Sequence, residues 1–185
     1  MAGRLGALTN RRRLPAIALL VLVVGVGVYW FGVRTTTAEP MVRLPRSVAV
    51  IGTGSEAVAV GFDATILHWL PPPEEGSLPA LPVSSPPKKP RLGGTLLEQV
   101  RVLAAAPAPL RAHLQSSHYG EGGVDVELGS GVELRFGDAS RAAAKWQAAA
   151  AVLADPAITA LDYLDLHAPG RPAIGGSGHT LPPPP

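Results

Sequence analysis

The spacing of apolar positions changes several times along the chain, and each change marks a predicted element. Leu14 to Val33 form an uncharged apolar run. As a helix of about 20 residues it would be about 30 Å long, the thickness of a bilayer's hydrocarbon core. Beyond it, Ser47 to Ile51 and Ala57 to Val60 read as two β segments around a Gly52–Gly54 turn, and Ala64 to Leu70 as a third. Pro71-Pro72-Pro73 stops the third, because proline lacks the amide donor a sheet ladder needs.

Helical spacing returns with Leu96, Leu97, Val100, Leu103 and Ala104, and Pro107 ends that helix. Thr95 and Glu98 stand at capping-box spacing. Leu110 to Tyr119 fits either a short helix or a strand. Val124 to Leu128 and Val132 to Phe136 then alternate around Gly129-Ser130-Gly131, predicting a hairpin with one apolar and one charged face. Gly137-Asp138 leads into a helix of about 15 residues, ended by Asp155-Pro156, with Ala142, Trp146, Ala149 and Leu153 on one stripe. Ile158 to His167 is a further strand, with Leu164, Leu166 and Asp162 placed on one face. This order predicts an α+β domain whose helices pack on a mainly antiparallel sheet.

Composition refines that picture. Of 185 residues, 46% are hydrophobic, while 20 prolines and 21 glycines imply irregular segments among the ordered ones. The prolines concentrate between Pro71 and Arg91, read as a mobile loop or linker without its own core, and the Gly/Pro-rich tail is expected to end in disorder. With no cysteine, disulfides and thiolate chemistry are excluded. A net charge of +2 is too small to point to nucleic acid.

Charge also orients the apolar run. Arg11-Arg12-Arg13 precede it and Tyr29-Trp30 lie near its far end, which places the amino terminus in the cytoplasm and the remainder outside. A cleaved signal peptide with Thr36-Thr37-Ala38 near its cut site is the alternative, but signal h-regions are usually about 7–15 residues. Either way the domain is extracytoplasmic.

Candidate chemistry is thin. Gly52, Gly54 and Ala57 have the G-x-G-x-x-A spacing of a dinucleotide-binding turn. That fold needs a helix next and an acidic residue at a second strand end. Here Val58, Val60, Gly61 and Thr65 follow, and Glu74-Glu75 fall in a proline-rich loop. The glycines are therefore read as a turn and no cofactor is expected. His68, His113, His118, His167 and His179 show no metal-ligand spacing, so no metal is expected. Ser130 is explained by a hairpin turn, and Asp162 and Asp165 fall on opposite strand faces. With no catalytic constellation, neither enzyme activity nor a small-molecule substrate is expected.

Residues Val124 to Gly176 resemble the β domain of the FtsQ/DivIB family of bacterial cell-division proteins, in its actinobacteria-like form. The matching residues are Gly131 to Asp138 ("GVELRFGD"), Lys145 in the following helix, Leu164 to Pro169 ("LDLHAP"), Arg171-Pro172 and Gly175-Gly176. "LLEQVRVLAAAPAPLRAHL" is similar to the family's preceding helix and strand, making Arg111 to Tyr119 a strand, and "LPRSVAVIGTGSEAVAV" to the segment where the β domain begins. Gly54-Ser55-Glu56-Ala57 depart from the family's usual arginine and proline. The connector between Val33 and Ser47 is too short for the POTRA domain that members normally carry.

The resemblance implies a non-enzymatic, single-pass scaffold of the divisome at the septum. It would comprise a cytoplasmic tail (1–13), a transmembrane helix (14–33), a connector (34–46), a β domain (47–176, with a proline-rich loop over 71–93) and a disordered tail (177–185). It also implies binding to FtsB/DivIC-like and FtsL-like membrane proteins, by addition of a partner strand to the last strand, helping to control septal peptidoglycan synthesis. On that strand, Ala160 to His167, the candidate partner-binding residues are Tyr163, Leu164, Asp165 and Leu166. Leu164 and Leu166 read equally well as core residues, leaving Tyr163 and Asp165 for contact. The alternative function is a diverged membrane-anchored extracytoplasmic binding module with no division role.

Overall fold

The two alternating segments around Gly129–Gly131 lie at the centre of a five-stranded sheet. The computed structural model describes residues 46–181. The expected transmembrane helix at 14–33, the tail before it and nearly all of the connector lie outside the described residues. Among the described residues, no helix is long and apolar enough to cross a membrane.

Strand β4 (Gly123–Leu128) and β5 (Glu133–Gly137) pair antiparallel, with Val126 opposite Leu134. The turn closes through the Gly131 N–H donating to the Leu128 carbonyl at 2.8 Å. Alternation then sorts the side chains: Val124, Val126, Leu134 and Phe136 are fully buried, while Glu127, Glu133 and Arg135 face outward. The ambiguous segment before it resolves into both forms, a short helix α2 (Ala108–Arg111) and then strand β3 (Leu114–Gly120), antiparallel to β4.

From β5 the chain crosses over through helix α3 (Ala142–Leu153) and returns as β6 (Tyr163–Asp165), parallel to β5. The predicted helical stripe is present, with Trp146 and Ala149 buried and Leu153 partly so. The Trp146 ring packs against Phe136 at 4.7 Å between centroids. Its indole N–H donates at 2.8 Å to the Val102 carbonyl of helix α1 (Gly94–Ala104). One aromatic side chain thus joins both longer helices and the sheet.

Lys145, beside it, is 2% exposed. Its ammonium donates to the Phe136 carbonyl at 2.9 Å, the Asp138 carbonyl at 2.9 Å and Asp138 Oδ1 at 2.7 Å. These bonds satisfy a buried charge and fasten α3 to the end of β5.

Four expectations change. The capping box does not form: Gly93 occupies the N-cap position and no side chain caps the helix. Thr95 sits inside the first turn, two residues past the cap position, and Glu98 accepts instead from the Ala139 N–H at 3.1 Å. Ala64 to Leu70 is not a strand. Ala64 takes a left-handed φ of 66°, Thr65 and Ile66 make single bridges, and the Leu70 N–H closes a turn on the Leu67 carbonyl.

The proline-rich segment, read as a mobile loop, is built into the sheet. The β1 (Ser47–Ile51) and β2 (Val58–Gly61) hairpin is antiparallel, and Ala80 bridges β1 on one side and β3 on the other. Leu81 N–H donates to Val50 and Ala80 N–H to Gln115, each at 2.9 Å, and Leu81 joins the core. Proline fixes an extended φ but supplies no donor, so Pro79 and Pro82 flank the bridging Ala80-Leu81 pair without lengthening it into a strand. Lastly, the tail beyond Gly176 is paired as far as it is described: Leu161 N–H donates to His179 at 3.0 Å and Leu181 N–H to Thr159 at 2.9 Å.

The glycines of Gly52-Thr53-Gly54 lead through a short 3-10 turn (Gly54–Glu56) into antiparallel β2. A strand follows them where a dinucleotide site requires a helix.

Candidate functional site

The four residues singled out on β6 and just past it divide by face. Leu164 and Leu166 have no exposed surface and belong to the core. Tyr163 and Asp165 lie on the open face, opposite the helices. The Tyr163 ring lies under the Arg135 guanidinium, 4.1 Å from its carbon. It also covers Gly175, where an added Cβ would stand 2.5 Å from the ring. Only glycine lets the aromatic lie flat there.

The backbone of β6 changes the expected geometry of strand addition. A further strand, β7 (Ala173–Gly175), pairs antiparallel with β6, so β6 is bonded on both sides and is not the last strand. The edge therefore moves outward to β7. At the opposite margin Ala80 bonds the outer side of β3 at Gln115 and Ser117 only, and residues 65–67 bond to β2 through Gly61 N–H to Thr65 and Leu67 N–H to Ala59. Among the described residues, nothing pairs with the outer side of β7.

The register shows which groups that edge presents. Asp162 N–H donates to the Gly175 carbonyl at 2.8 Å, so Gly175 faces inward. In an antiparallel ladder alternate residues face opposite ways, which directs the Ile174 amide and carbonyl outward. Ile174 stands opposite Leu164, which stands opposite Leu134. The apolar row crosses the sheet at 0%, 0% and then 47% exposure. A strand laid against β7 would meet free backbone groups beside an unfinished apolar row. The sequence did not reveal this strand: three residues between Pro172 and Gly176 are too short for any period, and Ile174, the one branched aliphatic residue there, was the only signal.

The open face is polar. His167, just past β6, fits over Gly137, whose φ of 68° and lack of a Cβ admit the ring. Its Nδ1 is 2.8 Å from Asp165 Oδ1 and its Nε2 is 3.1 Å from the Gly122 carbonyl. As imidazolium it donates both bonds, clasping the β3–β4 turn to the end of β6. The Asp165 bond, then the Gly122 carbonyl, raises the His167 pKa, against burial and the nearby Lys145 charge. Burial pushes the Asp165 carboxyl up, but the amide and ring of His167 outweigh it and the net shift is downward.

The sign of the resulting pH dependence follows. A raised histidine pKa stabilises fully below the ordinary value of about 6.5 and is lost as pH rises through the raised one. The Asp165 contribution is lost only in strong acid, below the ordinary carboxylate range. His167→Gln should therefore flatten the loss of stability between about pH 6 and 8, by about 0.2–1 kcal/mol for so exposed a pair. Urea melts of the two proteins at the two ends of that window measure it; parallel pH profiles would contradict the assignment.

No protein family's sequence profile matches the chain, and no curated protein resembles it in sequence. Among solved structures it is similar to the major extracytoplasmic domain of the trans isomer of the bacterial cell division protein DivIB from Geobacillus stearothermophilus. That likeness has 20% identity and a TM-score of 0.35, and covers 48% of this chain and 75% of that one.

Proposed function

We propose that this chain is a non-enzymatic scaffold of the bacterial division machinery, anchored by residues 14–33, whose extracytoplasmic domain takes a partner's strand along β7. The partners in this reading are FtsB/DivIC-like and FtsL-like membrane proteins, and the outcome is control of septal peptidoglycan synthesis. The family resemblance of Val124 to Gly176 motivates it. The single observation that supports the binding mode is the outward-facing Ile174 backbone at the end of the Leu134–Leu164–Ile174 row. Strand addition uses such an edge for affinity and alternate side chains for specificity.

Ile174→Pro is the informative substitution. Proline removes an outward amide that bonds to nothing among the described residues, so folding should persist while the docking ladder loses a donor. Co-purification of the full chain with the FtsB- and FtsL-like proteins should fall at least tenfold, with an unchanged thermal midpoint. Undiminished capture would reject β7 as the docking edge. A proline at Asp165 is less telling, because it breaks pairing inside the sheet. Depletion in the cell separates the division role from a membrane-anchored module without one: the former leaves filamentous or branched undivided cells, the latter does not.

A further inference from the structure

The geometry points to a divalent-cation site on the open face of the sheet, formed by His118 of β3, Asp125 of β4 and Glu133 of β5. Each offers one ligand atom, and the three atoms lie within 4.8 Å of one another. His118 Nε2 and Asp125 Oδ2 are 3.5 Å apart. A tetrahedral ion with bonds of about 2.0–2.1 Å spaces its ligands about 3.3–3.4 Å apart, so this pair already stands at ligand spacing. The sequence conceals the site because the three residues come from three strands, brought together by the β3–β4–β5 register.

A second observation concerns Asp125 alone. The residue keeps 9% of its surface, and its side chain 12%. Every other carboxylate on this face accepts a hydrogen bond: Glu127 from Ser116, Glu133 from Arg135, Asp165 from His167. Among the described residues no N–H or O–H group donates to the Asp125 carboxylate, and His118 at 3.5 Å is too distant to do so well. A largely buried carboxylate without a protein donor is costlier to keep ionised than an exposed one. A bound cation would place positive charge directly on it.

Arg135 stands opposite Asp125 but makes no bond to it. Its guanidinium is committed to Glu133 Oε2 at 3.1 Å and to the Tyr163 ring. Glu133 Oε1 accepts no hydrogen bond among the described residues and remains for the ion. One imidazole and two carboxylates, with room for water on the exposed side, suit a zinc-class transition ion. Calcium and magnesium call for six or more oxygens. Bound there, the ion would tie three strands together.

The test uses the chelator-treated full chain in detergent micelles at pH 7.5, titrated calorimetrically with zinc chloride and, separately, with calcium chloride. One equivalent of zinc should bind saturably, with calcium at least tenfold weaker. His118→Ala and Glu133→Gln should each weaken zinc at least tenfold, whereas His167→Ala should not. Arg135→Gln should tighten it, a gain that misfolding cannot produce. Zinc should also raise the thermal midpoint of the wild type and not of His118→Ala. Equal zinc affinity in His118→Ala, a loss confined to His167→Ala, or equal calcium affinity would each overturn the site.

Discussion

Trp146→Ala will lower the unfolding free energy of the domain by about 3–5 kcal/mol, the usual cost of emptying a large aromatic site in a packed core. Among the described residues the indole is the largest fully buried side chain, and it touches three elements at once. Its ring meets Phe136 on β5, its backbone belongs to α3, and its N–H reaches Val102 on α1. Truncation removes the contacts and leaves a cavity that a sheet on one side and a helix on the other cannot close. Against a total of about 5–15 kcal/mol for an ordinary domain, that loss takes a large part of the margin. Trp146→Phe retains ring packing and loses the donor, so it should cost about 1–2 kcal/mol. Far-UV circular dichroism in urea reads both variants. A loss below about 1 kcal/mol for the alanine variant would mean that α1 and α3 are not joined through this residue.

Lys145→Met should be the next most damaging change, at about 1–3 kcal/mol. Methionine nearly preserves volume, so the cost isolates the hydrogen bonds. The ammonium serves three oxygens, and the Phe136 carbonyl is the one that cannot turn to water. That carbonyl would remain buried without a donor. Asp138 Oδ1 rehydrates easily because its side chain is 69% exposed. Lys145→Ala adds a cavity and should cost more, whereas Asp138→Asn should matter far less than either. Equal effects of Lys145→Met and Asp138→Asn in urea melts would show that the surface ion pair, not the buried carbonyl, is what the lysine serves.

Of these two residues, only Trp146 was legible as a core residue in the sequence. Trp146 followed from a helical stripe, since Ala142, Trp146 and Ala149 recur on one face of α3. The Val124–Phe136 hairpin followed from strict alternation around a glycine turn, which the sheet preserves residue by residue. The burial of Lys145 could not be read from periodicity, because a lysine on an apolar stripe is read as solvent-facing until its acceptors are known.

Elsewhere local signals misled because a tertiary pairing overrode them. Pro79 and Pro82 mark a loop to any local reading, yet Ala80 between them joins two parts of the sheet. Thr95 and Glu98 had capping-box spacing, but the helix began two residues early and Glu98 took the Ala139 amide. For the candidate site, alternation placed Tyr163 and Asp165 outward and Leu164 and Leu166 inward correctly. What it could not show was that three residues of a Gly/Pro-rich tail would cover β6 and move the edge to Ile174.

The docking edge is most directly tested by amide hydrogen exchange at Ile174 in the full chain, with and without an FtsB-like partner bound. Alone, this amide faces solvent at the sheet's margin and should exchange within the fast class. With the partner strand in place it should become at least a hundredfold slower, while the Leu164 amide, already inside the sheet, changes little. A complex that forms with the Ile174 amide still exchanging at its free rate would contradict strand addition at β7.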